Sequence, residues 1–167
     1  MTDNYRQGVG MIVIQDGKIL LGQRSRKKNS LSSDFPRALQ IPQGGIDPGE
    51  SPEECLTREV KEELGLDVDS DLKLLCQLPF QTTYDLPESW AKNAWGGKYK
   101  GQQHLWFVLQ LTKKDFCPDK QLQIATDKEF KTINFYDGQV LLDNCMPYMK
   151  TIYMKIIHYL QKDGLVT

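Results

Sequence analysis

The segment from 44 to 66 constrains the fold of this chain more than any other part of the sequence. It begins with the glycine- and proline-rich stretch GGIDPGE and continues as SPEECLTREVKEELGL. Ser51 is a favoured N-cap residue, a proline follows at the first helical position, and Glu54 can complete a capping box. Gly65 suits a helix C-cap because glycine adopts the left-handed conformation without strain. The segment therefore predicts a loop followed by a helix over Pro52–Leu64.

Three glutamates of that helix would lie close together. Glu59 is four residues from Glu63 and three from Glu62, spacings that bring side chains to neighbouring positions on a helix. Like charges so placed repel by roughly 0.2–0.5 kcal/mol per pair. A divalent cation would compensate, and oxygen-only ligands favour Mg²⁺ or Mn²⁺ over zinc. The alternative is an ordinary solvated helix face, on which Arg58 and Lys61 are interleaved with the glutamates.

A longer pattern decides between these interpretations. Residues 44–66 match G-x5-E-x7-R-E-U-x-E-E-x-G-U at every defined position, where x is any residue and U is aliphatic. The positions that require a single residue type would coincide by chance at a frequency of about 10⁻⁸ per starting site. The pattern resembles the signature of the Nudix hydrolase family. This resemblance implies an α/β fold, an α/β/α sandwich with a central mixed sheet and a loop-helix-loop catalytic motif.

The resemblance implies a role for each matched polar residue. The implied ligands of Mg²⁺ or Mn²⁺ are Glu59, Glu62, Glu63, Glu50 and Gly44. Arg58 would pair with the glutamates and orient them. The metal would neutralise phosphate charge and activate water for attack on phosphorus, while a carboxylate acts as general base. That base stays open between Glu62, Glu63 and Glu129, which lies just before a strand candidate.

Glycines before the helix add a structural expectation. Gly44, Gly45 and Gly49 would let the loop backbone adopt positive φ. Because they carry no side chains, the loop could also approach the helix side chains closely. The sequence therefore predicts a tight loop beside the carboxylates.

Four stretches extend the resemblance over most of residues 5–160. They are YRQGVG at 5–10, IPQGGID at 41–47, YDLPESWAKNAWGGKYKGQQHLWFVLQL at 84–111 and EF at 129–130. These are similar to the bacterial RNA pyrophosphohydrolases and the related dinucleoside polyphosphate hydrolases. The resemblance implies an RNA 5′ end or a dinucleoside polyphosphate as substrate, with Arg6 near its phosphates. The implied substrate-binding residues are Arg6, Gln43, Tyr84, Lys98, Lys100 and Gln102.

The segment from 81 to 103 is too aromatic for an ordinary solvated linker. Its rings belong to Tyr84, Trp90, Trp95 and Tyr99. Aromatic side chains stack on nucleobases, and basic side chains beside them contact phosphates. We predict a binding loop that flanks the nucleotide. An RNA 5′ end and a free nucleotide would fit such a loop equally well.

Periodicity locates the remaining elements. An Asp-Gly pair between two apolar runs predicts a β-hairpin over Val9–Leu21. Strands are also predicted at Leu72–Leu78, His104–Leu111 and Phe130–Tyr136, and an amphipathic helix at Asn144–Gln161. The polar, basic stretch Arg24–Arg37 predicts an exposed loop.

Length and composition limit the number of domains and the classes of partner that the protein can have. A chain of 167 residues has the length of one domain, so we expect residues 1–167 to form a single Nudix domain. The 21 basic and 22 acidic residues nearly cancel, so no global charge attracts nucleic acid or a membrane. No apolar run is long enough to span a bilayer, and the cysteines lack zinc-ligand spacing. We therefore expect a cytoplasmic protein with reduced thiols.

Three functional hypotheses follow. The first is an RNA pyrophosphohydrolase that removes pyrophosphate from triphosphorylated 5′ ends, and its alternative is a dinucleoside polyphosphate hydrolase. The third is a module that binds nucleotides or RNA without catalysis, although the intact signature glutamates argue against it. The sequence lacks G-x4-G-K-[ST] and H-E-x-x-H, which disfavours a P-loop enzyme and a zinc hydrolase.

Overall fold

A mixed β-sheet forms the centre of the protein. The computed structural model describes residues 4–25 and 35–167. The strands are β1 (Tyr5–Gln15), β2 (Lys18–Arg24), β3 (Leu39–Gln40), β4 (Gln43–Gly45), β5 (Leu72–Gln77), β6 (Thr82–Asp85), β7 (Gly101–Leu111) and β8 (Phe130–Tyr136). The main path runs β3-β2-β1-β7-β5, while β4 pairs with β1, β6 with β7 and β8 with β2. Strands β1 and β7 are parallel and the other pairs are antiparallel.

Helices cover both faces of this sheet. They are α1 (Pro52–Leu64), α2 (Glu88–Ala91), α3 (Pro118–Ile124), α4 (Gly138–Asn144) and α5 (Lys150–Lys162), with 3-10 turns at Ala94–Gly97 and Pro147–Met149. One apolar cluster joins the sheet to α1 and α3, and the other joins it to α4 and α5. The predicted α/β/α sandwich with a mixed sheet is confirmed.

Alternation along β1 divides its side chains between the two clusters. Val9, Met11 and Val13 pack toward α1, whereas Ile12 and Ile14 pack toward α5. Successive side chains of a strand point to opposite faces, so a strand covered on both sides is apolar throughout. This explains why the predicted strands read as continuous hydrophobic runs.

The predicted hairpin joins β1 and β2. Its turn residues Asp16 and Gly17 have φ values of 51° and 75°. Positive φ at both central positions is the requirement of a type I′ turn, whose twist matches that of the flanking strands. The other predicted strands are confirmed as β5, β7 and β8, although β7 begins earlier, at Gly101.

The C-terminal helix differs from its prediction over Asn144–Gln161. Asn144 is the last residue of α4, and Pro147 opens a 3-10 turn before α5 begins at Lys150. Proline lacks the N–H that a helix interior needs, so one helix cannot run through Pro147. The apolar periodicity of the sequence nevertheless continues across this break in the backbone. Helices α3 and α4 were not predicted, since each spans only seven residues.

The predicted basic loop and the predicted reduced cysteines can be compared with the structure. In the stretch Arg24–Arg37, Arg24 ends β2, and residues 26–34 lie outside the described part of the chain. All four cysteines are free thiols, as predicted. Within residues 4–25 and 35–167, no helix has the length and apolar character to cross a bilayer.

The buried His104 of β7 makes stability depend on pH. Its pKa is lowered to about 3, chiefly by burial and also by the charge of Arg6. An unfolded chain binds this proton near pH 6.5, so stability is full above that pH and is lost as pH falls toward 3. We expect about 2 kcal/mol of this loss between pH 7 and pH 5.

The measurement is urea unfolding of wild type, His104→Leu and His158→Gln at pH 7 and pH 5. The first variant should lose the additional acid sensitivity, whatever its stability at pH 7. The exposed His158 serves as the control and should leave the sensitivity unchanged. Equal acid sensitivity in all three proteins would contradict the assignment to His104.

Candidate active site

Helix α1 carries the predicted carboxylates and is capped at both ends. The Ser51 hydroxyl accepts a hydrogen bond from the Glu54 amide at 3.1 Å, and the Glu54 carboxylate accepts one from the Ser51 amide at 2.8 Å. Gly65 ends the helix in the left-handed conformation with φ 65°. The helix therefore has the predicted bounds and both predicted caps, which position the glutamates along it.

Two of these glutamates are buried although they are charged residues. Glu59 is 7% exposed and Glu63 is 4% exposed, on the same side of α1 as Val60 and the core cluster. Acidic side chains are almost never fully buried without a partner. The site must therefore supply compensating charge.

Arg58 supplies part of that charge. Its guanidinium forms a fork on Glu50, with distances of 2.7 Å from Nε and 2.8 Å from Nη2. Its Nη1 donates to Glu59 at 2.8 Å and to Glu62 at 3.1 Å, and its Nη2 donates to the carbonyl of Gly45 at 2.9 Å. The predicted orienting arginine thus connects the loop before α1 with the carboxylates on α1.

The pKa values in this cluster follow from the contacts of Arg58 and from burial. The hydrogen bonds from Arg58 lower the pKa of Glu50 to about 2, while the Glu50 contact raises the pKa of Arg58. Burial raises the pKa of the neighbouring Cys55 thiol to about 12, so this cysteine is not a nucleophile at neutral pH. One guanidinium faces several carboxylates, and the cluster keeps an excess of negative charge.

Glu63 is more deeply buried than Glu59. Burial raises the pKa of Glu63 well above its ordinary value, and the charge of Glu59 also raises it. Its Oε2 atom is buried without a hydrogen-bond partner. Two buried carboxyl groups, one with an unpartnered oxygen, fit a hard divalent cation that would supply the missing positive charge.

The carboxylates do not yet converge on one point. Within the described residues, no group of three or more His, Cys, Asp or Glu side chains is arranged to hold a metal ion. Glu62 is more exposed than Glu59, with side-chain exposures of 38% and 10%, and both accept hydrogen bonds from Arg58 Nη1. The donor atoms have the type that Mg²⁺ prefers.

The glycines before α1 act differently from the prediction. Gly44 and Gly45 belong to β4, which pairs with β1, and only Gly49 of the three has positive φ, at 80°. A Cβ atom at Gly44 would collide with the Glu59 carboxyl, and one at Gly45 would collide with the Arg6 guanidinium. The expected positive φ is therefore wrong for Gly44 and Gly45. The expected close approach to a helix side chain is confirmed at Gly44, whereas Gly45 faces Arg6 of β1 and an added Cβ at Gly49 would have no neighbour within 4 Å.

An aromatic cavity of about 290 Å³ lies next to this carboxylate cluster. Its rings come from Tyr84, Trp90, Trp95, Tyr148 and Tyr153, and Arg24 and Gln43 also line it. Gln43 directly precedes Gly44, so one short strand borders both the cavity and the carboxylates. A planar nucleobase would match the size and the apolar, aromatic lining of this cavity.

The predicted substrate-binding residues lie in three places, one of which is the position of Arg6 against Gly45 and the Trp95 ring. Gln43, Tyr84 and Gln102 line the cavity and are hydrogen-bonded together, with 2.9 Å from the Tyr84 hydroxyl to Gln102 Oε1. Tyr84 lies in β6 and Gln102 in β7, so neither belongs to the loop in which both were predicted. Lys98 and Lys100 line a separate cavity on the other side of the same segment.

Arg24 is a site residue that the sequence did not identify. It ends β2, lines the aromatic cavity and forms an ion pair with Glu129, just before β8. Its positive charge lowers the pKa of Glu63, whereas Asp127 raises it. Arg24 had been assigned to the exposed loop because sequence spacing does not show that β2 and β8 are neighbours.

Comparison with known proteins identifies the family. The NUDIX domain pattern matches residues 4–144. The chain belongs to the Nudix family. Nudix hydrolases act on phosphoric anhydrides and generally need divalent cations, so the enzyme class predicted from the signature is confirmed.

Curated relatives share this Nudix domain over most of their length. An RNA pyrophosphohydrolase of Erythrobacter litoralis is 32% identical over 154 residues, which cover 92% of this chain and 88% of the relative. One from Rhodospirillum rubrum is 34% identical over 155 residues, covering 92% and 85%. The narrower resemblance predicted from the sequence is confirmed.

Solved structures support the Nudix fold. The E. coli dihydroneopterin triphosphate pyrophosphohydrolase superposes with a TM-score of 0.68 and 17% identity, covering 93% of this chain and 98% of that one. A C. elegans Ap4A hydrolase gives 0.63 and 18%, covering 94% and 98%. At such identities the likeness concerns the fold alone.

The Arg58 fork should resist replacement by lysine. A lysine keeps the charge but cannot bridge Glu50, Glu59 and Glu62 at once. We expect Arg58→Lys to weaken Mg²⁺ activation about 10- to 100-fold, measured by titrating activity with Mg²⁺. Arg37→Lys makes the same chemical change at an exposed site and should have no effect. An unchanged Mg²⁺ requirement in Arg58→Lys would contradict the proposed role.

Gly44 and Gly49 should respond differently to a methyl group. Gly44→Ala would displace the Glu59 carboxyl, so we expect kcat to fall at least about tenfold. Gly49 has no neighbour within 4 Å of an added Cβ, but its φ is 80°. Gly49→Ala should therefore cost about 1–2 kcal/mol of stability and keep kcat. Steady-state kinetics and urea unfolding test both, and equal kcat values would contradict the steric argument.

Proposed function

We propose that this protein is an RNA pyrophosphohydrolase, which removes pyrophosphate from the 5′ end of triphosphorylated RNA with Mg²⁺ as its metal. The observation that carries the proposal is the position of β4. This strand places Gln43 in the aromatic cavity and Gly44 against the carboxylate cluster. A nucleobase in the cavity would direct its 5′ phosphates toward α1. The relatives named RNA pyrophosphohydrolase support the choice of substrate.

The proposed metal ligands are Glu59, Glu62 and Glu63, assisted by Glu50 and the backbone of Gly44. When bound, Mg²⁺ would neutralise phosphate charge and favour hydrolysis of the anhydride. The buried position of Glu59 and Glu63 excludes water that would compete for this cation. Arg58 would hold Glu59 and Glu62 on one guanidinium nitrogen before a cation binds, and would continue to orient Glu50 afterwards.

Two arginines are proposed to hold the phosphates. The Arg6 guanidinium lies directly against Gly45, the residue that follows Gly44 in β4. Arg24 lies at the edge of the aromatic cavity and affects the charge of Glu63. Planar guanidinium groups bind phosphate oxygens through paired hydrogen bonds. Together they would neutralise the triphosphate where the cavity meets the carboxylates.

A carboxylate must accept the proton of the attacking water. The water oxygen forms the new bond to phosphorus, the bridging P–O bond breaks, and pyrophosphate leaves from the RNA 5′ monophosphate. Glu62, Glu63 and Glu129 remain the candidates for the base. Glu129 is only 13% exposed in its side chain and forms an ion pair with Arg24.

The second candidate function is hydrolysis of dinucleoside polyphosphates. The aromatic cavity supports it equally, because one adenosine would fill the cavity and present its polyphosphate to α1. A third candidate, binding without catalysis, is disfavoured because all the signature glutamates are present. Substrate assays can separate the three.

The test measures pyrophosphate and orthophosphate released from 5′-triphosphorylated RNA and from diadenosine tetraphosphate, with Mg²⁺. We expect wild type to act on the RNA and Glu63→Gln to lose at least about 10²-fold in kcat. Glu53→Gln is the matched control, because this exposed glutamate lies on the same helix. Turnover of the dinucleotide alone would replace the proposal by the second candidate, and no turnover of either would leave binding.

A further inference from the structure

Two cations flank a pair of aromatic rings on the surface beside the aromatic cavity. Arg6 lies against Gly45, and its Cζ is 5.4 Å from the centroid of the Trp95 ring. Trp95 meets Tyr99 edge to face at 6.2 Å, and Lys98 Nζ is 5.2 Å from the Tyr99 centroid. We call these side chains, Arg6, Trp95, Tyr99 and Lys98, the cation–aromatic row.

The row connects two cavities. Trp90 and Trp95 line the aromatic cavity, whereas Lys92, Lys98 and Lys100 line a second cavity of about 310 Å³. The segment from 88 to 97 separates the two and contributes residues to both. The second cavity is therefore reached from the first across a single short segment.

The backbone of this segment holds the row in place. Trp95, Gly96 and Gly97 all have positive φ, of 49°, 66° and 75°. Positive φ is uncommon for a residue with a large side chain, and here it turns the chain between the two cavities. The Lys100 amide donates to the carbonyl of Asn4 at 2.9 Å, which ties the row to the start of β1.

Charge in the second cavity is predominantly positive. Lys100 Nζ is 4.8 Å from the Tyr5 ring centroid, and the Tyr5 hydroxyl donates to Asp85 at 2.6 Å. Asp85 is thereby engaged with Tyr5, and Glu88 is the acidic residue that lines this cavity. Three lysines against one lining carboxylate suit a polyanion.

We propose that the cation–aromatic row and the lysine cavity bind the RNA chain that follows the 5′ end. Phosphodiesters would contact Lys98 and Lys100, and bases would stack on the exposed faces of the aromatic rings, as in single-strand binding sites. This inference rests on the proposed function for the direction of the chain. A dinucleoside polyphosphate has no such chain, so the row would favour RNA over the alternative substrate.

The experiment compares a triphosphorylated dinucleotide with a triphosphorylated twelve-nucleotide RNA. In K98Q/K100Q, kcat/KM for the long RNA should fall about tenfold through KM, while kcat and the dinucleotide reaction stay unchanged. The slope of log kcat/KM against log salt concentration should become shallower by about 1.4, because two single-strand phosphate contacts are lost. K98R/K100R should restore both values, and K73Q/K120Q, which changes exposed lysines elsewhere, should behave as wild type.

A binding measurement separates this inference from the proposed function. Fluorescence anisotropy with a twelve-nucleotide RNA that has a 5′ hydroxyl, without metal, should show weaker binding to K98Q/K100Q than to K73Q/K120Q. That difference would support the row even if wild type did not hydrolyse triphosphorylated RNA. Equal binding by these two variants, or equal losses of kcat/KM on long and short substrates, would overturn it.

Discussion

The pairing of Arg58 with the acidic residues around it is the interaction on which the rest of the site depends. Its fork on Glu50 joins the loop to α1, and its remaining hydrogen bonds hold Glu59 and Glu62. Arg58 and Glu50 are part-buried, so removing one partner leaves a charge that water solvates poorly. The carboxylates outnumber the guanidinium, so a cation would relieve the repulsion that remains. The same excess of carboxylates links the pairing of Arg58 to the cation binding proposed for this cluster.

Strand β1 brings the parts of the site together. On one side it pairs with β4 and sets Gly44 and Gly45 beside the carboxylates. On the other side it runs parallel to β7, where Arg6 is the register partner of Gln102. Gly44, which contacts the Glu59 carboxyl, thus lies on a strand next to that of Arg6, and Arg6 lies on a strand next to that of Gln102 in the aromatic cavity. A rigid sheet keeps their distances constant, as positioning for catalysis requires.

Several site residues could not have been predicted from sequence. Tyr148 lies in a 3-10 turn after α4, and its ring reaches Tyr84 at 5.2 Å across a long sequence separation. Arg24 was assigned to a polar loop, because only the pairing of β2 with β8 brings it to Glu129. Lys98 was expected beside the nucleotide, but the left-handed turn before it directs it into another cavity. In each case the deciding contact joins residues whose proximity sequence spacing does not encode.

The sequence by itself determined the features that depend on short-range geometry. Caps, helix bounds and the spacing of Glu59, Glu62 and Glu63 follow from helical periodicity, and the Asp-Gly turn follows from its backbone preferences. The family signature lies within such a segment, which is why the enzyme class could be predicted. Only the tertiary structure decided the burial of Glu63, the contact of Gly44 with Glu59, and the shape of the aromatic cavity. These depend on packing between distant strands and helices, where burial and excluded volume set the charge and position of each group.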